Sequence, residues 1–395
     1  MYGDDFDFYD DDLSDKIEDD GVKRRKKNKR KNTNLRWAIA LVVELIIIVF
    51  LGYGIIKTYV HSKYQKFEHV KDIAKEDLDI NDGADKSMDN YTTLALFGID
   101  ARDNSLGRGS RSDAIMIASI NNDTKDVKIC SVYRDTLLQV TKEDGSTLTT
   151  KINAAYAYGG PELALQTLNK NLDLNISEYV TVNWEGLTRA IDSLGGVTVH
   201  VEENELDTLN GVLAEQIQVN GIYSDGVYDT GLVTLNGAQA TAYSRIRSTD
   251  QGDITRTERQ REVIQAMLSK IKGSDLSTIN QIIDDIFPYV GTSITEDQMY
   301  ELAKGVFSYE LKESVGFPMA WQYYSTEAKG SCIAPEDLNE NVITLHKFLF
   351  NTDGYTPTTA VQSISTQISA ETGYTSKGPI PVPDTNTTEE STTDE

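Results

Sequence analysis

The sequence has few of the residues that build disulfide scaffolds or zinc sites: two cysteines and four histidines among 395 residues. Two cysteines are too few for a disulfide framework, and Cys130 and Cys332 lack the close spacing of paired metal ligands. The histidines form no HExxH motif. A disulfide-stapled scaffold and a zinc peptidase are therefore excluded. Cys130 and Cys332 could bond to each other or remain two buried free thiols, and the sequence leaves both possibilities open.

Positive charge is also scarce. The chain has 38 Lys and Arg residues against 62 Asp and Glu residues, a formal net charge of −24. This excess of negative charge argues against a protein that binds the nucleic-acid backbone irrespective of sequence, and we expect no nucleic-acid partner. The apolar fraction of 39% is that of an ordinary globular protein with a full core.

The basic residues near the N-terminus form one run, KRRKKNKRK, which begins at Lys23 and precedes the apolar segment Trp37–Ile56. That segment is long enough to cross a bilayer as a helix, and it has no cleavage site of small residues. Basic residues remain on the cytoplasmic side, so we predict a single-pass anchor with the rest of the chain outside the cell. A nucleic-acid patch is the alternative interpretation of the basic run, but contact with anionic lipid fits better beside a span. Glu44 lies inside the span and suggests a contact with another helix.

Composition divides the chain into five parts. We predict a cytoplasmic tail (1–36), a transmembrane helix (37–56), a stalk or linker (57–90), a globular domain (91–364) and a disordered tail (365–395). Apolar residues at helical spacing in Lys57–Asp79 predict a helical stalk. Glu205–Gly231 has mixed signals and is interpreted as a mobile insert. The Ser- and Thr-rich sequence after residue 365 cannot bury enough apolar surface to fold.

Three short apolar runs, Leu94–Ile99, Ala114–Ile120 and Val127–Val132, predict three strands of an antiparallel meander. A turn near Asn122–Thr124 has suitable residues, and a hairpin centred there places Asp113 opposite Arg134. The first run ends at Asp100, which should reach the same sheet edge. Charged residues at strand ends often do no more than meet water. The convergence of two carboxylates and an arginine favours a functional site.

A second informative stretch, SRIRSTDQGDITRTERQREVI, begins at Ser244. Thr255–Glu258 matches a capping box and predicts a helix from there to about Lys272. Cations at a helix N-terminus oppose the helix dipole, so several arginines there suggest that an anion binds among them. Pairing with carboxylates of the domain is the alternative.

Together the two stretches suggest a phosphate site with a bridging metal. Mg²⁺ is usually held by carboxylate and phosphate oxygens and water, and arginines bind the remaining phosphate charge. The next turns of the predicted helix carry Val263, Ile264, Met267 and Leu268. These residues could line a groove for a lipid chain, but plain core is the preferred interpretation.

The sequence resembles the LytR–CpsA–Psr family over about residues 91–272, and the predicted anchor also matches. The motifs that carry the resemblance are Gly98-Ile-Asp100-Ala-Arg102, Arg111-Ser-Asp113, Ser131-Val-Tyr-Arg134-Asp135-Thr136, Lys151-Ile-Asn153, Ile191-Asp-Ser-Leu-Gly195-Gly196-Val197, Arg245-Ile-Arg247 and Gly252-Asp253-Ile-Thr-Arg256-Thr-Glu-Arg259-Gln260. One departure is Tyr133, where the family more often has proline.

The resemblance implies an enzyme that transfers a wall glycopolymer from an undecaprenyl-pyrophosphate carrier to peptidoglycan, on the outer side of a Gram-positive-type cell membrane. It implies an α/β fold of three α-β-α layers with a central mixed sheet, and an apolar groove for the prenyl chain. Residues matching Asp100 and Asp113 would hold Mg²⁺. The residues implied to bind the pyrophosphate are Arg102, Arg111, Arg134, Lys151, Arg245, Arg247, Asp253, Arg256, Arg259 and Gln260.

For the chemistry we expect attack by a muramic acid hydroxyl on the anomeric carbon, with the lipid pyrophosphate leaving. The catalytic residues would be Asp100, Asp113 and Arg134, with one of the two carboxylates acting as base. A lipid-diphosphate phosphatase is one alternative, with water in place of the sugar. A non-catalytic membrane-anchored regulator is another, although residues 1–36 are too short and charged for a DNA-binding helix-turn-helix.

Overall fold

The computed structural model describes residues 57–65, 68–69, 73–84, 86–101, 106–221, 223–247, 252–305 and 307–383. The chain divides into two compact units, Met1–Tyr59 and Val60–Glu395, and the central sheet lies wholly within the second. The predicted cytoplasmic tail, the predicted span and Glu44 lie outside the described residues. Among the helices that the structure does describe, none combines the length and hydropathy of a membrane span.

A seven-stranded mixed sheet forms the centre of the domain, in the order β1-β10-β7-β2-β3-β4-β11. Its middle strands β2, β3 and β4 are antiparallel, whereas β7 runs parallel to β2 and β11 runs parallel to β4. The strands of the chain are β1 Glu68–His69, β2 Tyr91–Ile99, β3 Ser112–Asn121, β4 Asp126–Val132, β5 Leu137–Thr141, β6 Thr147–Lys151, β7 Glu178–Asn183, β8 Val197–Val201, β9 Gly231–Leu235, β10 Val290–Thr292, β11 Glu310–Phe317, β12 Trp321–Thr326 and β13 Gly330–Pro335.

The helices cover both faces of this sheet. Their bounds are α1 57–64 (its described part), α2 Asn153–Leu172, α3 Trp184–Ser193, α4 Leu206–Asn220, α5 Gly237–Tyr243, α6 Asp253–Lys272, α7 Leu276–Ile286, α8 Glu296–Lys304, α9 Leu338–Phe350 and α10 Thr359–Thr372. Short 3₁₀ helices span Lys75–Asp77, Lys86–Asn90, Glu203–Glu205 and Phe287–Tyr289.

Alternation along β2 explains the layers. Ala95, Phe97 and Ile99 are buried in the main core, to which α2, α9 and α10 also contribute. Leu94 belongs to a second cluster on the other face, with Ile294 and residues of α8. Because successive residues of a strand point to opposite faces, both faces of the sheet are apolar and both are covered. The predicted mixed α/β sheet is confirmed.

The register of the β3–β4 hairpin is the one predicted from its turn. Met116 pairs with Ser131 and Ile117 with Cys130, so the same register carried outward places residue 113 opposite residue 134. Lys125 in the turn has a φ of 65°, within the left-handed region. This register brings the charged ends of β3 and β4 together.

Three predictions about the ends and the middle of the domain need correction. The helical stalk stops at residue 64, and Leu78 and Met88, predicted to lie in the linker, are buried in the main core. The predicted mobile insert contains α4 and ends where β9 begins, and Leu209 and Leu213 on α4 are buried in a cluster with α6. The predicted disordered tail begins inside α10, which continues to Thr372 with Ile368 buried. In each case the apolar residues are too few to indicate from the local sequence that they pack on elements distant in the chain.

Candidate functional site

Charged side chains alternate in sign where β3 and β4 end. Arg134 Nη1 lies 2.5 Å from Asp113 Oδ1, and Lys151 Nζ lies 3.2 Å from Asp135 Oδ1. Arg134 Nε lies 3.9 Å from Asp135 Oδ2. These side chains are all partly buried, with exposed fractions of 18–24%. The predicted meeting of Asp113, Arg134 and Lys151 is thus observed, and Asp135 joins them although it was not among the predicted site residues.

Asp100 reaches the same edge from β2. Ile99 pairs with Ser112 after a bulge at Gly98, so Asp100 follows directly beside the start of β3. Asp100 and Arg111 are both exposed. Asp100 and Asp113 therefore lie next to each other at the ends of adjacent strands. We call this end of strands β2, β3 and β4, with Asp100, Asp113, Arg134 and Asp135, the charged edge. Arg102 lies in residues 102–105, outside the described part of the chain.

The N-terminal half of α6 lies against this edge. Arg256 is only 2% exposed, and its Nη2 donates to the Asp113 carbonyl oxygen at 3.0 Å. Gln260, one turn later, lies with its Nε2 3.5 Å from the Ser244 carbonyl oxygen. The two informative stretches of sequence thus meet at Asp113.

The predicted start of α6 was wrong by two residues. The helix begins at Asp253 after Gly252, which makes no side-chain cap. Thr255 is already inside the first turn, and its hydroxyl donates to the Gly252 carbonyl oxygen at 3.2 Å. The expected capping box therefore does not form, and α6 begins beside the charged edge with the kind of terminus at which anions bind.

Arg259 is engaged differently from its neighbours on α6. Its Nε lies 2.6 Å and its Nη2 2.5 Å from Glu205 Oε1, and its Nη1 donates to the Ile246 carbonyl oxygen at 3.3 Å. Both side chains of this ion pair are buried. Direct contact of Arg259 with a phosphate, as predicted, would require the pair to open. Sequence reasoning missed Glu205 because it lies at the start of the supposed mobile insert.

Arg245 and Arg247 follow the end of α5, separated by the fully buried Ile246. The Arg245 guanidinium lies 5.9 Å from the Trp184 ring centroid, and its Nη1 is 3.4 Å from Gln216 Oε1. Arg247 is exposed. Arg245 therefore borders the start of α3, where Trp184 lies.

An apolar cavity of about 290 Å³ lies between the sheet and helices α3 and α6. Ile264, Met267 and Leu268 on α6 line it, and they are only half-buried because one side of each faces the cavity. The prediction of plain core holds for Val263, which is buried in a core cluster, and was wrong for the other three, which face a cavity. The other lining residues include Leu96, Gly98, Ala114, Met116, Val180, Val182, Trp184, Leu187, Ala190, Ser244, Gln260, Val263, Ile271, Ile286 and Val290.

The lining of the cavity adjoins the charged edge along the chain. Ala114 lines it and directly follows Asp113, while Gln260 lines it one turn after Arg256. Trp184 lines it beneath Arg245. An apolar chamber with cations at one end is complementary to a molecule that joins a hydrocarbon chain to an anionic head group.

The two cysteines are buried and free, which resolves the alternative left open by the sequence. Cys130 lies in β4, and its burial raises the pKa of the thiol to about 12. Burial also raises the pKa of the Cys332 thiol. Both thiols are therefore protonated and unreactive at neutral pH.

The mixed sheet, the apolar cavity and the charged edge beside it define the class of protein, an α/β protein with an amphiphilic cleft. The chain belongs to the LytR_cpsA_psr family, whose model matches residues 54–319.

Similar proteins support this assignment. The chain is 32% identical over 268 residues to the polyisoprenyl-teichoic acid–peptidoglycan teichoic acid transferase TagU of Bacillus mycoides, a match that covers 67% of this chain and 81% of that protein. It is 28% identical over 336 residues to TagU of Bacillus subtilis, covering 81% and 99% of the two chains.

Solved structures show the same fold. A protein of Streptococcus agalactiae matches with a TM-score of 0.55 at 24% identity, covering 76% of this chain and 95% of that chain. A protein of Enterococcus faecalis described as a transcriptional regulator matches with a TM-score of 0.54 at 23% identity, covering 75% and 100%.

Proposed function

We propose that this protein transfers a wall glycopolymer of the teichoic acid class from a polyprenyl diphosphate carrier to peptidoglycan. The observation that carries the proposal is that the apolar cavity adjoins the charged edge at Ala114 and Gln260, which line the cavity and lie next to Asp113 and one turn after Arg256. A polyprenyl diphosphate has the matching shape, with a hydrocarbon chain for the cavity and phosphates for the cations. The names of the TagU relatives support the same donor and acceptor.

The cations at the edge would bind the diphosphate. Arg134 approaches from the end of β4, Lys151 from the end of β6, Arg256 from α6, and Arg245 from beside Trp184. Arginine guanidinium groups form paired hydrogen bonds to phosphate oxygens. The carboxylates of Asp113 and Asp135 now fix the cations in place, so the site is organised before the ligand arrives.

Asp100 and Asp113 would hold Mg²⁺. Carboxylates are the hard oxygen ligands that this ion prefers, and the two lie on adjacent strand ends. Within the described residues no group of three or more Asp, Glu, His or Cys side chains could cage a metal. A two-carboxylate site suits an ion that completes its shell with substrate phosphate and water. When bound, Mg²⁺ would neutralise charge that develops on the leaving phosphate.

In the transfer, a muramic acid hydroxyl would attack the donor while a carboxylate accepts its proton. We assign this base to Asp100, which would hold Mg²⁺ through one carboxylate oxygen and accept the proton on the other, because Asp113 Oδ1 already accepts from Arg134. Attack at the anomeric carbon releases a polyprenyl diphosphate, whereas attack at phosphorus releases a polyprenyl monophosphate. Mass spectrometry of the lipid product distinguishes the two bonds, and we expect the diphosphate.

We further propose that residues 37–56 anchor the enzyme in the cell membrane, with residues 1–36 in the cytoplasm and the domain outside. The basic run before the apolar segment supports this orientation. Accessibility of single introduced cysteines to a membrane-impermeant thiol reagent tests it. Labelling at residue 228 but not at residue 14 of intact cells is expected, and the reverse pattern contradicts the proposal.

The deciding experiment incubates the full chain in detergent with a radiolabelled polyprenyl-diphosphate-linked teichoic acid precursor and purified peptidoglycan. Label that becomes covalently attached to peptidoglycan supports transfer. Free polymer phosphate together with polyprenyl monophosphate, without attached label, would indicate a lipid-diphosphate phosphatase. Neither product would indicate a non-catalytic regulator. Asp113→Asn should abolish transfer, whereas Asp144→Asn, in the exposed β5–β6 turn, is the matched control and should not.

A further inference from the structure

The segment Tyr133–Thr136, which carries Arg134, is held by backbone hydrogen bonds from several elements. Tyr133 donates to the Phe317 carbonyl oxygen at 2.9 Å, and Asn153 donates to the Arg134 carbonyl oxygen at 3.1 Å. Ile333 donates to the Asp135 carbonyl oxygen at 3.0 Å. Ile333 lies in the β12–β13 hairpin, which follows the residues matched by the family model. This hairpin thus contacts the site from outside the matched region.

Tyr133 itself fills a space bounded by three elements. It is 6% exposed and belongs to a cluster with Ile254 and Ile333, against which Trp321 packs. Its ring centroid lies 6.5 Å from that of Trp321, at an interplanar angle of 77°. An edge-to-face contact of this kind contributes beyond simple burial of area.

Gly316 shows how closely the Tyr133 ring is fitted. A Cβ atom built on Gly316 would lie 2.1 Å from the Tyr133 hydroxyl oxygen and 2.5 Å from its Cζ. Both distances are far below a van der Waals contact, and Tyr133 is only 6% exposed. The side chain at position 133 and the absence of one at position 316 therefore depend on each other.

The cluster joins the two halves of the site. Tyr133 directly precedes Arg134, and Ile254 is the second residue of α6, which carries Arg256 and Gln260. The packing of Trp321 against Tyr133 thus sets the spacing between the arginine on the sheet and those on the helix.

From this we infer that Tyr133 and Trp321 are positioning residues, through which the β12–β13 hairpin holds Arg134 and the first turn of α6 at the spacing that a diphosphate requires. The inference rests on the proposed function. The Tyr133 ring is the side-chain contact between the hairpin and the site, beside the backbone hydrogen bond from Ile333 to Asp135.

The test measures binding of farnesyl diphosphate with Mg²⁺ by calorimetry, and the midpoint of thermal unfolding, on full-chain variants. Trp321→Ala should weaken binding roughly tenfold, the loss expected from one misaligned charge-assisted hydrogen bond, while Trp321→Phe retains a ring and should bind within about twofold of wild type. Phe348→Ala removes a buried ring of the main core. It is the control for lost stability and should leave affinity unchanged.

Gly316→Ala supplies a second arm should Trp321→Ala fail to fold. It should weaken binding similarly, and added to Tyr133→Ala it should cost nothing further, because the ring that it meets is gone. Unchanged affinity in Trp321→Ala or Gly316→Ala overturns the inference. It is also overturned if Phe348→Ala loses as much affinity as Trp321→Ala for the same loss of stability. Failure of wild-type protein to bind the diphosphate would instead count against the proposed function.

Discussion

The buried ion pair between Glu205 and Arg259 allows a quantitative prediction. The exposed fractions of the two side chains are 6% and 7%, and the carboxylate also accepts from the Glu202 backbone amide at 3.0 Å. Glu205→Gln leaves the Arg259 charge buried without its counter-charge. Removal of one partner from a buried pair typically costs about 3–5 kcal/mol, and we expect a loss of this size in the free energy of unfolding.

Urea denaturation of the full chain at pH 7, followed by circular dichroism, measures this loss. The control is Glu185→Gln, which breaks an exposed Glu–Arg pair of 2.7 Å between Glu185 and Arg189 on α3. That pair is worth about 0.3–0.5 kcal/mol. Replacing Glu205 with Leu and Arg259 with Met together should recover most of the loss, because neither charge is then buried alone. Equal effects of Glu205→Gln and Glu185→Gln would refute the reasoning.

Three further predictions concern the cavity, the metal and the thiols. Met267→Trp should fill part of the cavity and weaken farnesyl diphosphate binding at least tenfold, equivalent to the loss of about two buried methylene groups at about 0.8 kcal/mol each, without changing the affinity for inorganic pyrophosphate. The control is Gln265→Trp, because Gln265 is exposed on the same helix. Equal losses of affinity for both ligands in Met267→Trp would contradict the cavity assignment. Chelation of divalent cations should weaken binding of inorganic pyrophosphate to wild-type protein, and addition of Mg²⁺ should restore it. The Asp113→Asn variant should bind pyrophosphate equally weakly with and without Mg²⁺. If wild-type protein binds pyrophosphate independently of metal, Asp100 and Asp113 are not the Mg²⁺ ligands of this site. Because burial raises the pKa of both thiols, Ellman's reagent at pH 8 should titrate neither Cys130 nor Cys332 in native protein. After denaturation it should titrate two thiols, with or without prior reduction. If the denatured protein shows two thiols only after reduction, the cysteines form a disulfide.

Local sequence predicted the β3–β4 hairpin and its charged end correctly. A turn between two short apolar strands fixes which residues pair across the hairpin through short-range contacts alone. The approach of Asp113 to Arg134 therefore followed from the position of the turn. Helix α6 was also predicted from its local sequence, with an error of two residues at its start. These elements could be recognised because the interactions that define them lie within a few tens of residues.

Longer-range partners could not be predicted in the same way. Glu205 meets Arg259 across 54 residues, and nothing in either local pattern indicates the other. The order in which β10 and β11 join the sheet likewise depends on contacts far apart in the chain. Residues of α4 looked like a loose insert because their apolar pattern is completed only by α6.

The amino-acid sequence was enough to recognise the family motifs, the acidic and basic residues of the site and the apolar face of α6. What that face contacts depends on the fold. Met267 and Leu268 would follow the same helical spacing whether they touched a sheet or an open cavity, since periodicity reports which way a side chain points and not how far away its neighbour lies. The distance between α6 and the sheet left the cavity, and the ends of β2, β3 and β4 placed the charges at its edge.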